Sequence, residues 1–240
     1  MSRRKKKPDP FAGLLLMDKP PSWTSHDVVA KLRNHFKLQK VGHAGTLDPM
    51  ATGLLILLIG RATKRSAEIM QGDKTYSGTI LLGRTTSTQD IEGDVLQEND
   101  ASEITRQQID AITPQFRGSI KQLPPMVSAI KKDGVALYKM ARKGIEIERE
   151  ARPVEIHTFD ITAYNAPYIH FNVICSKGTY VRTLAHDMGA ALECGGCLHA
   201  LRREASGSYC VSNAHTLETL LQQSRESLLD YLTEPEVVSQ

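Results

Sequence analysis

A glycine-rich loop that runs directly into an apolar segment constrains the fold of this chain more than any other stretch of its sequence. Residues 42–53 hold three glycines, and Pro49 disfavours the helical region for the preceding residue, Asp48. Residues 54–59 are continuously apolar and too few for a buried helix, so they predict a core strand. The sequence therefore places one carboxylate on a stiff loop beside a core strand, a setting typical of functional residues. The alternative for a single loop aspartate is an Asx-turn or a helix cap.

The rest of the chain mixes strand-like and helix-like patterns without a regular βαβ repeat. A helix is predicted to begin after Thr24 or Ser25, because these residues cap helices and helical spacing follows them. Residues 85–102 are acidic and poor in apolar side chains, which predicts a protruding loop or hairpin. The other predicted elements are strands over 13–17, 75–82, 126–131, 154–164, 168–176 and 197–205, helices over 63–70, 103–112, 135–143 and 178–192, a loop over 40–49, and helical structure in the last 25 residues. The predicted fold class is α+β, with flanking helices on a mostly antiparallel mixed sheet.

Composition excludes several classes of protein. Of the 240 residues, 40% are hydrophobic and 24% are charged, which supplies material for a core and argues against a disordered or fibrous chain. The longest apolar run, residues 54–59, is far shorter than the roughly 20 residues of a membrane span, so no membrane association is expected. The basic run of residues 3–7 is followed by two prolines and an aspartate rather than by the apolar stretch of a signal peptide.

The cysteines agree with a reduced compartment. The four of them show no disulfide-rich spacing, and a cytoplasmic protein is therefore predicted. Cys194 and Cys197 have the spacing of half a zinc site, but no second pair with matching spacing follows. No metal site is predicted.

Charge is unevenly distributed along the chain. The formal net charge is +3, and the five cations of residues 3–7 exceed it. Residues 31–84 carry nine cations against three anions, whereas residues 85–110 carry seven anions against one cation. Because phosphates reward local cation density, this segregation favours a polyanion-binding face on the basic block. A mixed, solvated surface is the alternative that charge alone leaves open.

Asp48 stands without the partners that common catalytic sites require. No second carboxylate lies at a spacing that indicates a glycosidase pair, and the loop lacks the ligand cluster of a divalent metal. Its glycines match neither the P-loop nor the dinucleotide-binding pattern. No Ser or Cys stands in a recognisable nucleophile setting with a His. What remains is a cofactor-free reaction carried by one carboxylate.

The glycine-rich loop belongs to a series of short motifs that follow one another along the chain. The motifs are Asp18-Lys19-Pro20, Thr24-Ser25, residues 42–53, residues 60–64, residues 73–76, residues 82–90, residues 125–129, Arg152-Pro153, residues 175–184 and residues 201–203. Together they cover roughly residues 13–207, and they resemble the TruB family, the bacterial tRNA pseudouridine synthases that modify the T-loop uridine conventionally numbered 55. A single Leu-Asp pair would mean little, but so many ordered motifs argue strongly against a chance match.

The resemblance implies that Asp48 is the essential carboxylate of a reaction that breaks the glycosidic bond of uracil, turns the base and joins its C5 to the sugar. Covalent attack and abstraction of a sugar proton both remain open. In each version the carboxylate is ionised, and the family match makes Arg182 the guanidinium that pairs with it. Without the resemblance, Arg182 is a surface arginine in the first turns of a helix. Tyr76 matches an aromatic residue that stacks on the flipped uracil, whereas a strand tyrosine is otherwise core packing.

The resemblance also implies a set of substrate-binding residues. His43 matches a residue that helps to hold the target base out of its stack, Lys64 a pocket or phosphate contact, and Leu201 an apolar wall. Asp90 and Tyr180 also lie in matching motifs, and the resemblance assigns them to RNA binding too. Without the resemblance, His43 is interpreted as a histidine bonded to a backbone carbonyl, Lys64 as a solvated lysine and Leu201 as a core leucine.

For the whole chain, the resemblance implies a pseudouridine synthase fold over residues 11–210, preceded by a flexible basic tail, residues 1–10. Residues 85–110 are expected to be a mobile insertion that closes over the T-loop, and residues 211–240 an acidic helical segment in place of the PUA domain of most relatives. The expected partner is the T-arm of tRNA, whose uridine leaves its stack at a cost of a few kcal/mol. A monomer is expected, without cofactor, guide RNA or obligatory protein partner.

Two other functions fit the sequence. One is an RNA-binding or chaperone protein that keeps the fold and has lost catalysis, and the presence of Asp48, Tyr76 and Arg182 argues against it. The other is a pseudouridine synthase that acts on a different RNA, which the expected lack of an appended RNA-binding domain leaves open.

Overall fold

The chain folds into two compact units that each combine strands with short helices. The computed structural model describes residues 10–128, 131–132, 135–136, 140 and 147–234. Contacts divide the chain into one unit formed by Met1–Gly72 with Arg202–Gln240 and a second formed by Asp73–Leu201. The predicted α+β class is confirmed. No helix in these ranges has the length and hydropathy needed to cross a bilayer.

The secondary structure consists mostly of strands. In chain order the strands are β1 (Gly13–Lys19), β2 (Val41–Ala44), β3 (Thr52–Ile59), β4 (Lys74–Leu82), β5 (Arg84–Thr86), β6 (Val95–Glu98), β7 (Gly118–Gln122), β8 (Lys131–Lys132), β9 (Val135–Ala136), β10 (Arg152–Asn165), β11 (Tyr168–Cys175), β12 (Gly196–Ser206), β13 (Tyr209–Cys210) and β14 (His215–Thr216). Over residues 10–128 and 147–234, the α-helices are α1 (Ser25–His35), α2 (Ser66–Ile69), α3 (Arg106–Ile112), α4 (Val181–Ala191) and α5 (Leu217–Leu221). Turns of 3₁₀-helix lie at Gly60–Arg65, Thr113–Phe116, Val211–Asn213 and Glu226–Tyr231.

The first unit is built around β3, whose residues 53–59 are all buried. β1 pairs with it antiparallel, from Gly13 opposite Ile59 to Lys19 opposite Gly53. β2 pairs with the second half of β3, β14 lies parallel to β1, and the end of β12 runs parallel to the start of β3. The predicted core strand is therefore confirmed, and it is covered by strands on both edges.

Helix α1 begins where the sequence predicts. The Thr24 hydroxyl accepts a hydrogen bond from the Asp27 N–H at 3.0 Å, and the Asp27 carboxylate accepts one from the Thr24 N–H at 3.1 Å. This reciprocal capping box satisfies backbone donors that the first turn leaves unpaired. Val28 and Leu32, one turn apart, are fully buried, which fixes the face that the helix turns toward the core.

The second unit contains an antiparallel sheet in the order β4, β11, β10, β7. β10 and β11 form the predicted hairpin, which turns between Asn165 and Tyr168. Its core includes Phe159, whose ring packs edge-on against Phe171 at 5.4 Å and Phe116 at 6.3 Å between centroids. β5 and β6 form a separate two-stranded hairpin, as the acidic segment predicts.

Three boundaries differ from the sequence predictions. The loop predicted over 40–49 is wrong in its first half, where β2 forms by pairing with β3, a long-range contact that a short glycine-containing segment does not reveal. The helix predicted over 63–70 begins as the 3₁₀ turn Gly60–Arg65, and only Ser66–Ile69 is α-helical. β7 is missing from the predictions because Ile120 is its only apolar residue.

Four predicted segments lie partly outside the described residues, and of the basic tail, residues 1–10, only residue 10 is described. Of the strand predicted over 126–131, residues 126–128 form bends instead, and residue 131 begins β8. Of the helix predicted over 135–143, residues 135–136 form β9, and most of the remainder lies outside the described residues. Of the last 25 residues, predicted to be helical, those as far as residue 234 contain the one-turn α5 and the 3₁₀ turn Glu226–Tyr231.

Candidate active site

Asp48 lies on a tight loop between β2 and β3, in the first unit. Gly45 and Gly53 both adopt φ of +94°, a region that favours glycine. A Cβ at Gly53 would lie 2.3 Å from the carbonyl oxygen of Arg203, so a larger residue would force the backbone to move. The Asp48 carbonyl accepts a hydrogen bond from the Ala51 N–H at 3.1 Å, and Asp48 itself is half-buried. The loop therefore has a defined shape that only glycine at these positions permits.

A fully buried lysine ties this loop to the segment before α1. The Nζ atom of Lys19 donates to the carbonyl oxygens of Trp23 at 2.6 Å, Pro20 at 2.9 Å and Pro49 at 3.0 Å. Pro49 directly follows Asp48, so the ammonium group fixes the main chain next to the candidate carboxylate. The sequence gives Lys19 no role, because lysine is rarely buried without a partner. The sequence signal that points to Lys19 is its place in the motif Asp18-Lys19-Pro20.

A buried arginine and a buried serine hold the other side of the loop. Arg203 donates from Nε to the Leu54 carbonyl at 2.7 Å and from Nη2 to the Gly45 carbonyl at 3.2 Å. The Ser25 hydroxyl accepts from the Leu47 N–H at 2.9 Å and lies 3.2 Å from the Leu47 carbonyl, to which it donates. Neither Arg203 nor Ser25 was predicted as a site residue. Together with Lys19 they hold the backbone on both sides of Asp48.

Replacing Lys19 with methionine is expected to destabilise the protein by on the order of 3 kcal/mol, because three carbonyl acceptors lose their buried donor. In a chain of this size, that loss lowers the melting temperature by roughly 6–12 °C. Thermal unfolding followed by circular dichroism measures the change. The control is Lys31→Met, which removes an exposed lysine from α1 and should shift the unfolding free energy by less than about 0.5 kcal/mol. Equal effects of the two substitutions would contradict the role assigned to Lys19.

His43 lies in β2, opposite Leu57. Burial lowers the pKa of its imidazole below the ordinary 6.5, and the positive charge of Arg203, followed by His26, acts in the same direction. Its Nδ1 atom is buried and has no hydrogen-bond partner in the part of the chain that the structure describes. The ring is therefore neutral at pH 7, with one polar atom unsatisfied.

The lowered pKa of His43 predicts that stability falls under acid conditions. Above the unfolded pKa near 6.5 the ring is neutral in both states. As the pH falls below that value, the unfolded chain takes up a proton more readily than the folded one, so the free energy of unfolding decreases. Denaturant unfolding at pH 7.5 and 5.5 measures the decrease, and His43→Gln should remove the part due to this ring. A decrease as large in the variant as in the unaltered protein would exclude His43 as its source.

Arg182 lies in the first turn of α4, in the second unit, and is buried. Its Nη1 lies 3.3 Å from Oδ2 of Asp90, and both side chains are 5% exposed. It also donates to the carbonyl oxygens of Thr88 at 3.0 Å and Val127 at 2.8 Å. The structure thus brings two predicted residues together, and the surface alternative for Arg182 is wrong. Pairing of Arg182 with Asp48 stays a prediction.

The remaining predicted residues have different degrees of exposure. Tyr76 is half-buried in β4, Leu201 is buried in β12, and Lys64 is exposed on the 3₁₀ turn Gly60–Arg65. Tyr180 is the N-cap of α4, and its main chain exchanges hydrogen bonds of 3.0 and 3.2 Å with the side-chain amide of Gln122. By unit, the predicted residues are His43, Asp48 and Lys64 in the first, and Tyr76, Asp90, Tyr180, Arg182 and Leu201 in the second.

Two family models match successive parts of the chain. Residues 33–181 match the N-terminal domain of the TruB family pseudouridylate synthases, and residues 182–236 match the C-terminal domain of tRNA pseudouridylate synthase B. The two matches meet at Arg182. The second includes the C-terminal segment for which the sequence predicts only an acidic helical region.

Individual relatives agree with the family models. A protein named tRNA pseudouridine synthase B from Opitutus terrae is 51% identical over 208 residues, which are 87% of this chain and 86% of that protein. Another of that name, from Azoarcus sp., is 49% identical over 223 residues, or 93% and 74% of the two chains. A chain in the crystal structure of a Cbf5-Nop10-Gar1 complex aligns with a TM-score of 0.70 and 28% identity over 92% of this chain, which spans 57% of that one. The chain described here belongs to the TruB family of pseudouridylate synthases and is an isomerase.

Proposed function

We propose that this protein is a tRNA pseudouridine synthase that isomerises the T-loop uridine conventionally numbered 55. The relatives cited above bear the name tRNA pseudouridine synthase B. The observation that carries the proposal is the loop around Asp48, whose main chain is held by Lys19, Ser25 and Arg203. A carboxylate that acts alone must be held in one position, because misplacement of the reacting atoms costs rate.

The reaction balances without any group from outside the RNA and the protein. The bond between N1 and C1′ of uridine breaks, the uracil turns, and a bond forms between C5 and C1′. The hydrogen on C5 leaves as a proton, and N1 gains a proton, so substrate and product are isomers. In this proposal Asp48 is the essential carboxylate, either as the nucleophile or as the base that removes a sugar proton.

Arg182 is proposed to keep the Asp48 carboxylate ionised. Its guanidinium is already held by Asp90 and by two backbone carbonyls, so its orientation is fixed before RNA binds. A preorganised charge stabilises an anionic group without the cost of reorganising during the reaction. The family resemblance assigns Asp90 to RNA binding, but its side chain is 5% exposed and pairs with Arg182, so we propose it instead as a residue that positions Arg182. Tyr76 is proposed to stack on the turned base, and Leu201 to form an apolar wall beside it.

The uridine is proposed to enter from the T-arm after it leaves its stack, at a cost of a few kcal/mol. The imidazole of His43 is neutral when the uridine enters, because its pKa is lowered. It therefore approaches the base without adding a positive charge. Lys64 is exposed and is proposed to contact a phosphate that offsets part of the unstacking cost. Tyr180, at the start of α4, is proposed to contact the RNA. Residues 85–110 are proposed to close over the T-loop of the RNA.

Loss of the C5 hydrogen provides the test. An unmodified tRNA transcript carrying tritium at C5 of its uridines is incubated with the purified protein, and release of tritium into water is followed. Release equivalent to one uridine per tRNA is expected, also in excess chelator, and none from a transcript with cytidine at position 55. Release that survives the cytidine substitution would contradict the assigned position. No release at all would contradict the function and favour an RNA-binding protein without catalysis.

A further inference from the structure

The first turn of α4 is held by side chains from outside the helix. Its N-cap residue, Tyr180, does not cap the helix with its own side chain. The first turn of a helix has backbone N–H groups without intrahelical partners, so other groups have to bond to them. Arg182, whose guanidinium is fixed by Asp90, lies in this same turn. The contacts that hold the turn therefore determine where that guanidinium lies.

Gln122, the last residue of β7, supplies the missing cap. Its Oε1 accepts a hydrogen bond from the Tyr180 N–H at 3.0 Å, and its Nε2 donates to the Tyr180 carbonyl at 3.2 Å. Gln122 is only 2% exposed, although glutamine is mostly found on protein surfaces. Two bonds to one residue fix its orientation as well as its position. Gln122 thus determines how the chain enters α4.

The segment that begins at Gln122 holds the turn at a second point. Gln122 is anchored in the sheet by pairing with Arg152 of β10. Five residues later, the Val127 carbonyl accepts a hydrogen bond from Nη2 of Arg182 at 2.8 Å. A shift of Gln122 would therefore disturb both the start of the helix and one acceptor of the guanidinium.

A second glutamine, Gln89, holds the residue that follows Arg182. Its Oε1 accepts a hydrogen bond from the Thr183 hydroxyl at 2.9 Å, and Thr183 is 2% exposed. The main chain of Gln89 is anchored on β12, because its carbonyl accepts from the Leu198 N–H at 3.0 Å. Gln89 adopts φ of +65°, which residues other than glycine seldom do. Such conformations persist where the surrounding structure enforces them, and they cluster at functional sites.

These polar contacts are concentrated where Arg182 lies. Farther along α4, Ala185 and Met188 are fully buried, and an apolar face of this kind docks a helix by itself. The bonds from the two glutamines act on Tyr180 and Thr183, which flank Arg182 within the first turn. Their placement favours control of the guanidinium over docking of the helix.

We propose that Gln122 and Gln89 are positioning residues, which hold the first turn of α4 so that the Arg182 guanidinium keeps one orientation. The proposal rests on the proposed function for the role of Arg182 in turnover. Both glutamines act through Arg182 and not on the RNA. A small displacement is enough to matter, because misplacing a group in an active site by about 1 Å can lower the rate by roughly 10²-fold.

Single-turnover tritium release at saturating tRNA tests the two residues. Gln122→Met removes both bonds to Tyr180 and keeps the length of the side chain. Gln89→Gly removes the bond to Thr183, and because glycine readily adopts φ of +65°, the fold should tolerate it. Each variant is expected to lower the rate by about 10- to 100-fold. Affinity, measured by equilibrium binding with Asp48→Asn added to every chain, should change by less than about twofold, since the RNA is not contacted. Unaltered rates in both variants would overturn the proposal.

The control is Thr216→Val, which removes a helix cap elsewhere in the chain. The Thr216 hydroxyl caps α5 by accepting a hydrogen bond from the Thr219 N–H at 3.2 Å. Loss of this cap should lower the melting temperature by a few degrees and leave the rate unchanged. A loss of rate as large as that of Gln122→Met would attribute the effect to stability and overturn the positioning role.

A double-variant series tests whether the glutamines act through Arg182. In the Arg182→Lys background the forked contacts of the guanidinium are already lost. Adding Gln122→Met or Gln89→Gly should then lower the rate by less than about twofold further, because coupled residues are not additive. A further loss as large as in the unaltered chain would show that the glutamines act independently of Arg182.

A readout without catalysis separates this proposal from the proposed function. The guanidinium N–H signals of Arg182 are followed by NMR in protein that carries ¹⁵N-arginine, and Arg182→Lys identifies them by their loss. Gln122→Met and Gln89→Gly should shift or broaden these signals, whereas Thr216→Val should not. Unchanged signals would overturn the positioning role. No tritium release from the unaltered chain, with signals that change as expected, would overturn the proposed function alone.

Discussion

Asp48→Asn is expected to abolish pseudouridine formation while RNA affinity stays nearly unchanged. The amide has almost the shape of the carboxylate but carries no charge and is neither a nucleophile nor a base. Loss of the only reactive group of a site typically lowers turnover by more than about 10⁴-fold. The loop itself should survive, because its shape depends on Lys19, Ser25 and Arg203, which bond to main-chain atoms. Single-turnover tritium release and equilibrium binding measure the two effects separately.

A matched control for this change is Asp230→Asn. Asp230 is exposed and lies in the 3₁₀ turn Glu226–Tyr231, so the same chemical change occurs away from the loop. It should leave turnover and affinity as they are. Residual turnover of more than a few per cent in Asp48→Asn would reject Asp48 as the essential carboxylate.

Arg182→Met is expected to have the second-largest effect, with losses in both stability and turnover. Removing the guanidinium leaves the buried Asp90 carboxylate without its charged partner, which typically costs about 3–5 kcal/mol of unfolding free energy. Turnover should fall further than instability explains, because the proposal has Arg182 keeping Asp48 ionised. Arg182→Lys should recover only part of the loss, since an ammonium cannot make the same forked contacts.

The double variant Arg182→Met, Asp90→Asn separates the two losses. Asparagine keeps an oxygen that can accept the Thr88 hydroxyl and the Glu92 N–H, and it removes the unpaired buried charge. Its melting temperature should recover toward that of the unaltered protein, while turnover stays low. Recovery of both would show that Arg182 serves only to neutralise Asp90. Equal loss of affinity and turnover in Arg182→Met would instead indicate a phosphate contact.

The sequence predicts the elements whose signals are local. Helix α1 is recognised because Thr24 is a residue type that caps helices and apolar residues follow it at helical spacing, and β3 because six apolar residues follow one another. β2 and β7 depend on pairing with β3 and β10, and each has too few apolar residues to be seen alone. Such strands are defined by partners that the local pattern does not contain.

The residues of the candidate site likewise fall into those with a local sequence signal and those without one. Asp48 stands out because glycines and Pro49 constrain it locally, and the other predicted residues come from the family resemblance. The buried contact between Asp90 and Arg182 joins residues 92 apart in sequence, so no spacing rule predicts it. Lys19 and Arg203 are missed because buried cations bonded to carbonyl oxygens look in sequence like ordinary surface charges.

The most direct measurement is a map of pseudouridine in tRNA from cells that lack this protein. The proposed function predicts that the modification at T-loop position 55 disappears from tRNA and returns when the unaltered chain is supplied. It should not return with Asp48→Asn expressed at the same level. Persistence of pseudouridine at position 55 in cells without the protein, with loss at a different RNA position, would contradict the assignment.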